Sequence, residues 1–321
     1  MNKLNFPSSA STTPLKTPAW RQYLALCKLK VVALIVFTAL VGMFMATNPP
    51  SMVPWDKLIF GCLGIFLAAS AAAAVNHVVD QHIDAQMART RDRPVARGEI
   101  SSRNALLFAS ALSVLAMSVL VFWVNKFTAL LTFLSLIGYA FVYTMYLKRA
   151  TPQNIVIGGA AGAAPPVLGW AAVTGGDDIF FPNSFWLFLL VFIWTPPHFW
   201  ALAIYRRHEY KKANVPMLPV THGVEFTQLH ILLYTILLVV VSVMPYLTGM
   251  SGIFYLVCAL LLGARFLYFA IKLKITGDDG IAIRTFAYSI YYLIGMFGAL
   301  LIDHYLPLIV GVNTAPLILF Q

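Results

Sequence analysis

Nine apolar runs, each about 20 residues long, divide this chain. They fall at about 24–47, 57–79, 104–124, 127–147, 154–174, 184–205, 227–248, 252–272 and 282–302. A run of that length crosses the hydrocarbon core of a bilayer as an α-helix, because about 20 residues rise about 30 Å. Barrel strands would alternate apolar and polar residues, which these runs do not, so helices are expected. Only 11% of the 321 residues are charged, against roughly 25% in soluble domains. The expected fold is therefore all-α: a polytopic membrane protein of nine transmembrane helices. Residues 1–20 are expected to form a flexible cytoplasmic tail, 21–305 one transmembrane domain, and 306–321 a tail on the outer side. The first 20 residues are rich in Ser, Thr and Pro and lack an apolar core, so they do not read as a secretory signal.

The net charge of +10 would suggest nucleic acid in a soluble protein. Here its distribution explains it. Five cationic residues lie at the N-terminal end, five after the second run, two after the fourth, four after the sixth and three around the loop after the eighth, making 19 of 22. The opposite loops hold Lys57 and Lys126, and Arg265 lies within the eighth run. By the positive-inside rule the N-terminus and the even-to-odd loops face the cytoplasm, or a mitochondrial matrix. Partner nucleic acid is not needed. Cys27, Cys62 and Cys258 show no CxxC or Cys/His metal spacing, so a disulfide framework or zinc site is not expected.

Two cytoplasmic loops mix acids with bases. One follows the second run and reads NHVVDQHIDAQMARTRDRP (Asn76–Pro94); the other follows the sixth and reads YRRHEYKKANVPMLPVTHG (Tyr205–Gly223). They stand four helices apart, which suggests an internal duplication, and paired halves would bring both loops over one central cavity. Asn76, Asp80 and Asp84 are spaced i, i+4, i+8, which lines them along one helical face. Two carboxylates and an amide on one stripe at a membrane surface call for a cation. Oxygen-only ligands suit Mg²⁺, which binds through one or two carboxylates plus substrate phosphates. Arg89 and Arg93, flanking Thr90, are placed to grip a diphosphate, and Lys148, Arg206 and Arg207 reach the same face from other loops. Glu209 offers a further carboxylate to the metal set. Arg97 and Arg103 read as orientation charges. This is the chemistry of a prenyl diphosphate whose polar head stays at the rim while its tail lies among the helices.

The pattern N-x-x-x-D-x-x-x-D followed by MARTRDRP (Met87–Pro94) resembles the UbiA superfamily of intramembrane aromatic prenyltransferases. Longer stretches are similar to one branch of it, the protoheme IX farnesyltransferases or haem O synthases. They are Lys28–Met43, Tyr143–Gly175 and Trp194–Val220, the last containing WTPPHFW and VPMLP. The resemblance implies nine helices around a central cavity, dependence on Mg²⁺, farnesyl diphosphate as donor and haem b as acceptor. The product implied is haem O with release of diphosphate. It also implies that Asn76, Asp80 and Asp84 hold Mg²⁺ and diphosphate, that Arg89, Arg93 and Lys148 neutralise it, and that Glu209 is the acid of the second motif. The chain departs from the family at two places. Only Glu209 is acidic where the superfamily often has a second DxxxD, and Lys28-Leu29-Lys30 replaces a frequent Lys-Pro-Arg.

A farnesyl cation needs shielding from water, and Tyr139, Tyr143, Tyr146, Phe199 and Trp200 are aromatics on the cytoplasmic half that suit this role. Within the resemblance, His198 is a candidate iron ligand, and Lys28 and His222 are candidate partners of the haem carboxylates. His77, His82 and His208 are expected to pair with the neighbouring acids. Thr195-Pro196-Pro197 is expected to kink the sixth helix. Further expectations are the lipid bilayer as environment, a bacterial inner membrane (alternatively a mitochondrial one), and haem A synthase or terminal oxidase assembly as partners. Competing readings are a prenyltransferase acting on a quinone precursor, an ion-coupled transporter, and a haem-handling partner without transferase activity. A transporter would place isolated acids in deep broken helices, whereas here they cluster with Arg and Lys at one rim.

Overall fold

The computed structural model describes residues 18–177 and 182–310, and all regular structure within them is helical. The helices are α1 (Ala19–Leu26), α2 (Leu29–Met45), α3 (Trp55–Val79), α4 (Gln81–Gln86), α5 (Ser102–Val119) and α6 (Lys126–Ile137). They continue with α7 (Lys148–Ala150), α8 (Asn154–Ala163), α9 (Pro165–Thr174), α10 (Pro182–Tyr205), α11 (Arg207–Lys212) and α12 (Leu218–Thr221). The last three are α13 (Val224–Leu247), α14 (Ile253–Thr276) and α15 (Asp279–Val310). Two π-helical stretches extend α5 and α6, Leu120–Val124 and Gly138–Leu147. Eight helices among the described residues are long and apolar enough to cross a membrane, or nine when α1 and α2, bent by 48° at their junction, count as one span. The nine expected segments are thus present. The proposed tails fall largely on residues 1–17 and 311–321, which lie outside the described residues.

Sequence chemistry sets the ends. Ser101 and Asn125 begin α5 and α6 by accepting the backbone N–H groups of Asn104 and Thr128. The α5–α6 turn is tied to α9 by the Asn125 amide, which donates to the Ala171 carbonyl at 3.0 Å. The fifth span is divided into α8 and α9 at Ala164, ahead of Pro165-Pro166, whose missing N–H groups suit a helix start. By contrast α10 runs on through Pro196 and Pro197.

Packing follows residue size. A Cβ added to Gly42 would lie 2.1 Å from the Pro166 carbonyl oxygen, and one added to Gly169 would lie 1.9 Å from that of Ala39. The α2 and α9 backbones therefore touch, as small residues permit between membrane helices. Gly169→Val is expected to abolish the folded state. Size-exclusion chromatography in mild detergent should show aggregate where the unaltered chain gives one peak. The span Asn183–Tyr205 buries 78% of its apolar window, against 17% for Lys126–Leu147. This makes α10 the central helix and α6 peripheral. The main core joins α10 to α2, α13, α14 and α15 around Trp194, Tyr255, Phe266, Tyr292 and Phe297. Asp303 of α15 fastens the far end by accepting the N–H groups of Gly252 and Tyr255 at the start of α14.

Candidate active site

The C-terminal end of α3 carries Asn76 and leads through Asp80 into α4, which carries Asp84. All three side chains are buried, Asp80 to 1% exposure. The Asn76 amide donates to Asp80 Oδ2 at 2.8 Å. Lys148 Nζ donates to the same oxygen at 2.5 Å. Asp80 Oδ1 is buried and has no partner. Asp84 Oδ2 accepts from Arg93 at 2.6 Å, and the buried Thr90 hydroxyl donates to the Asp84 carbonyl at 3.1 Å. Thr90 therefore folds the Met87–Arg93 segment back so that Arg93 returns to the acid nine residues before it. The two ion pairs are largely shielded: side-chain exposure is 2% for Asp80 and 15% for Lys148, 5% for Asp84 and 19% for Arg93. Asp80 thus keeps one buried oxygen able to accept a further cation.

Lys148 comes from across the fold because of the π-helical turn before it. In that wider turn the Thr144 hydroxyl donates to the Tyr139 carbonyl five residues back, at 2.8 Å. Tyr139 and Tyr143 pack together there, ring centres 5.4 Å apart. Both lie within electrostatic reach of Asp80. Gly158 of α8 makes room for Tyr143: an added Cβ would sit 2.0 Å from the ring. The other three candidate aromatics are elsewhere. Tyr146 and Phe199 are exposed, and Trp200 packs edge-on against Tyr234 at 5.3 Å. For Tyr146 the reason is the loss of α-helical register after Gly138, which turns it away from the face that carries Tyr139 and Tyr143.

The second loop closes the site. Arg206 donates to Glu209 Oε1 at 2.7 Å, leaving Glu209 Oε2 and Arg206 Nε buried without partners. Tyr210 beside them is buried and lies within reach of Arg89, Arg206, Glu209 and Asp80. Burial pushes the Tyr210 phenol up from its ordinary value; Glu209 and Asp80 add to this, and Arg89 and Arg206 oppose it. Arg89 in turn senses Tyr210, Arg93, Arg206 and Asp84. Met87 of the first loop and Tyr210 of the second share one buried cluster, so the two loops meet. Tyr210 had no signal in the sequence beyond being one aromatic in a basic loop. Arg207 does not join the cluster. It forks onto Asp279 at 2.6 and 2.8 Å, tying α11 to the start of α15.

Lys28 occupies the junction of α1 and α2 in the left-handed region, φ 49°. That uncommon backbone turns its ammonium inward onto Asn76 Oδ1. Lys28 thus stands in the acid cluster, whereas the sequence expectation is a contact with haem carboxylates. His198 is buried on α10, stacked between Trp194 at 4.2 Å and Phe286 at 4.6 Å. Its Nδ1 meets Ser289 Oγ at 2.6 Å, and that hydroxyl donates to the Phe286 carbonyl. Nδ1 is therefore the proton donor, which assigns the lone pair to Nε2. The expected pairing of histidines with acids is not seen. Neither ring nitrogen of buried His77 has a partner, His82 contacts Gln81, and His208 is exposed. His222 is exposed and bonded to Thr221 at 2.8 Å.

Among the described residues no three or more His, Cys, Asp or Glu side chains form a metal cage. The site offers instead Asp80 Oδ1 and Glu209 Oε2, two buried and unpartnered anionic oxygens on the two loops that face Tyr210, with Asn76 and Asp84 already engaged by Lys28 and Arg93. All are hard oxygen donors. They fit an ion such as Mg²⁺ that takes one or two carboxylates and completes its shell with water and phosphate.

Comparison with known proteins gives the family and the fold. The model of the UbiA prenyltransferase family matches residues 35–301. A protoheme IX farnesyltransferase of Methylococcus capsulatus is 58% identical over 301 residues, covering 94% of this chain and 99% of the relative. One of Marinobacter nauticus is 58% identical over 293 residues, covering 91% and 95%. Among solved structures, a UbiA homologue from Aeropyrum pernix superposes with a TM-score of 0.70 at 18% identity, covering 86% of this chain and 98% of that one. A UbiA homologue from Archaeoglobus fulgidus, bound to GPP and Mg²⁺, superposes with a TM-score of 0.60 at 17% identity, covering 87% and 99%. At that identity the likeness is one of fold. With the family model spanning most of its length and relatives this similar, the chain belongs to the UbiA prenyltransferase family.

Proposed function

We propose that this chain transfers a farnesyl group from farnesyl diphosphate to a vinyl group of haem b, with water, giving haem O and diphosphate. The observation that carries the reading is the Asp80 carboxylate. It is buried where two basic loops meet, with one oxygen held by Asn76 and Lys148 and the other unpartnered. The name shared by the relatives supports haem as the acceptor.

Asn76, Asp80, Asp84 and Glu209 are the side chains that would hold Mg²⁺, which when bound draws electron density from the diphosphate and eases departure of the leaving group. Lys148, Arg93, Arg89 and Arg206 supply fixed positive charge where the leaving group gains negative charge. The allylic C–O bond breaks and its electron pair leaves with the diphosphate. Farnesyl C1 then bonds to the terminal vinyl carbon, whose π electrons form the new C–C bond. The positive charge moves to the vinyl carbon next to the porphyrin. A water oxygen bonds there and loses a proton, leaving a hydroxyethylfarnesyl group. Tyr139 and Tyr143, beside Asp80, are placed to stabilise the first cation by ring contact and to keep bulk water off it. His198 is the proposed axial ligand of the haem iron through Nε2, with Ser289 and the two flanking rings fixing its plane. Arg207 acts outside this set by anchoring α11.

The protein sits in a membrane through its eight or nine spans. We place it in a bacterial inner membrane with its N-terminus and the diphosphate site on the cytoplasmic face, which the charge distribution supports. Haem O would pass to a haem A synthase or to a terminal oxidase.

Mass spectrometry of haems tests the reading. Membranes containing the chain, given haem b, farnesyl diphosphate and Mg²⁺, should gain a farnesylated hydroxyethyl haem. Membranes without the chain, or with a chelator added, should not. A prenylated phenol formed in its place would overturn the haem assignment. His198→Ala should broaden and shift the visible absorption of bound ferric haem while leaving the KM for farnesyl diphosphate within about twofold.

A further inference from the structure

A concavity lies beside the acid cluster. Arg21, Leu24 and Ala25 are spaced i, i+3, i+4 on one face of α1, and Lys28 at the α1–α2 junction continues that wall. The 48° bend between α1 and α2 swings Leu29, Lys30 and Val31 round to continue that wall. Arg89 and Arg93 line it as well, from the loop after α4. The groove is shallow and open to its surroundings, with a volume of about 460 Å³. Five of its lining residues are cationic, four are apolar and none is acidic.

Lys28, Arg93 and Arg89 are shared with the catalytic cluster, where Lys28 and Arg93 are bonded to Asn76 and Asp84. Arg21, Lys30 and Arg89 have no carboxylate partner among the described residues. Arg21 rests instead against the Trp20 ring, 5.2 Å from its centre. The chain's own first 17 residues contain no acid that could neutralise them.

The occupant this groove fits is anionic, carries no divalent ion and has an apolar body. A diphosphate complexed with a metal requires carboxylates on the wall, and those stand next door at Asp80 and Asp84. A phospholipid phosphate needs only one of the cations. Two carboxylates on the edge of an apolar plate use both the charged lips and the greasy floor. We propose that the groove seats the propionate edge of the porphyrin acceptor, with Arg21 and Lys30 as its carboxylate partners. The inference rests on the reading that haem b is the acceptor. It moves the propionate contacts from Lys28, which the fold turns toward Asn76, to the residues on either side of it.

The test compares haem b with its dimethyl ester, which lacks only the two carboxylate charges. Wild-type protein is expected to farnesylate haem b with a KM about tenfold below that of the ester. In the double variant Arg21→Gln/Lys30→Gln the KM for haem b should rise about tenfold to meet that of the ester, while the KM for farnesyl diphosphate stays within about twofold. The charge-conserving Arg21→Lys/Lys30→Arg should restore most of the preference for haem b. An unchanged KM, or an equal rise for both porphyrins, overturns the assignment and leaves the groove to an anionic lipid headgroup. A raised KM for farnesyl diphosphate overturns it in favour of the donor. A wild-type protein that farnesylates neither porphyrin overturns the haem reading itself, a result distinct from a wild type that uses both equally well.

Discussion

Replacing Asp80 by asparagine is expected to slow farnesyl transfer about a thousandfold, the scale of a lost charge contact to a transition state in a dry site. The side chain keeps its shape and can still accept from Lys148, so the fold should survive. What disappears is the negative charge that balances Lys148 and the free oxygen available to a metal ion. Thermal unfolding in detergent should move by only a few degrees. Haem analysis should show no product above background. Normal turnover by Asp80→Asn would remove the assigned role.

Replacing Lys148 by methionine should have the opposite balance. It leaves Asp80, 2% exposed at its side chain, as a buried charge held only by Asn76. Breaking a buried pair from one side typically costs about 3–5 kcal/mol. The lower end applies here, because Lys148 opens partly to solvent. The rate should fall by about a hundredfold as well, since a fixed cation near the leaving group is lost. The decisive comparison is the double variant Asp80→Asn/Lys148→Met. Removing both charges should restore most of the stability lost by Lys148→Met alone while leaving the protein inactive. A double-mutant cycle on unfolding temperatures and rates measures this coupling. Additive stability losses would mean that the two side chains do not form the buried pair described above.

The spans were legible because the bilayer fixes helix length and apolarity together, and no tertiary contact is needed to read either. The closeness of Asn76, Asp80 and Asp84 was legible because they are near in sequence, although the chain breaks at Asp80 between α3 and α4 instead of carrying them on one continuous helix. What escaped the sequence depends on distant partners or unusual backbone. Nothing in GYAFVYTMYL announces the π-helical turn that delivers Lys148 and separates Tyr143 from Tyr146. The inward turn of Lys28 depends on a left-handed residue at a helix junction, in a position where the sequence shows no glycine. Arg207 looked equivalent to Arg206 because the two are adjacent. Only the start of α15 reveals that Asp279 claims it. The histidines near the acids read as partners by proximity in sequence, yet His77 is turned into packed surroundings with no acceptor or donor to meet.

Both acid-bearing loops are proposed to hold one metal-complexed diphosphate. Isothermal titration with an unreactive thiolo analogue of farnesyl diphosphate tests it most directly, using the full-length protein with and without Mg²⁺. Binding should require the ion, and Asp84→Asn and Glu209→Gln should each weaken it by about tenfold or more. If Glu209→Gln binds the analogue as tightly as the unaltered chain, or if Mg²⁺ makes no difference to either, the loop after α10 has no part in holding the donor.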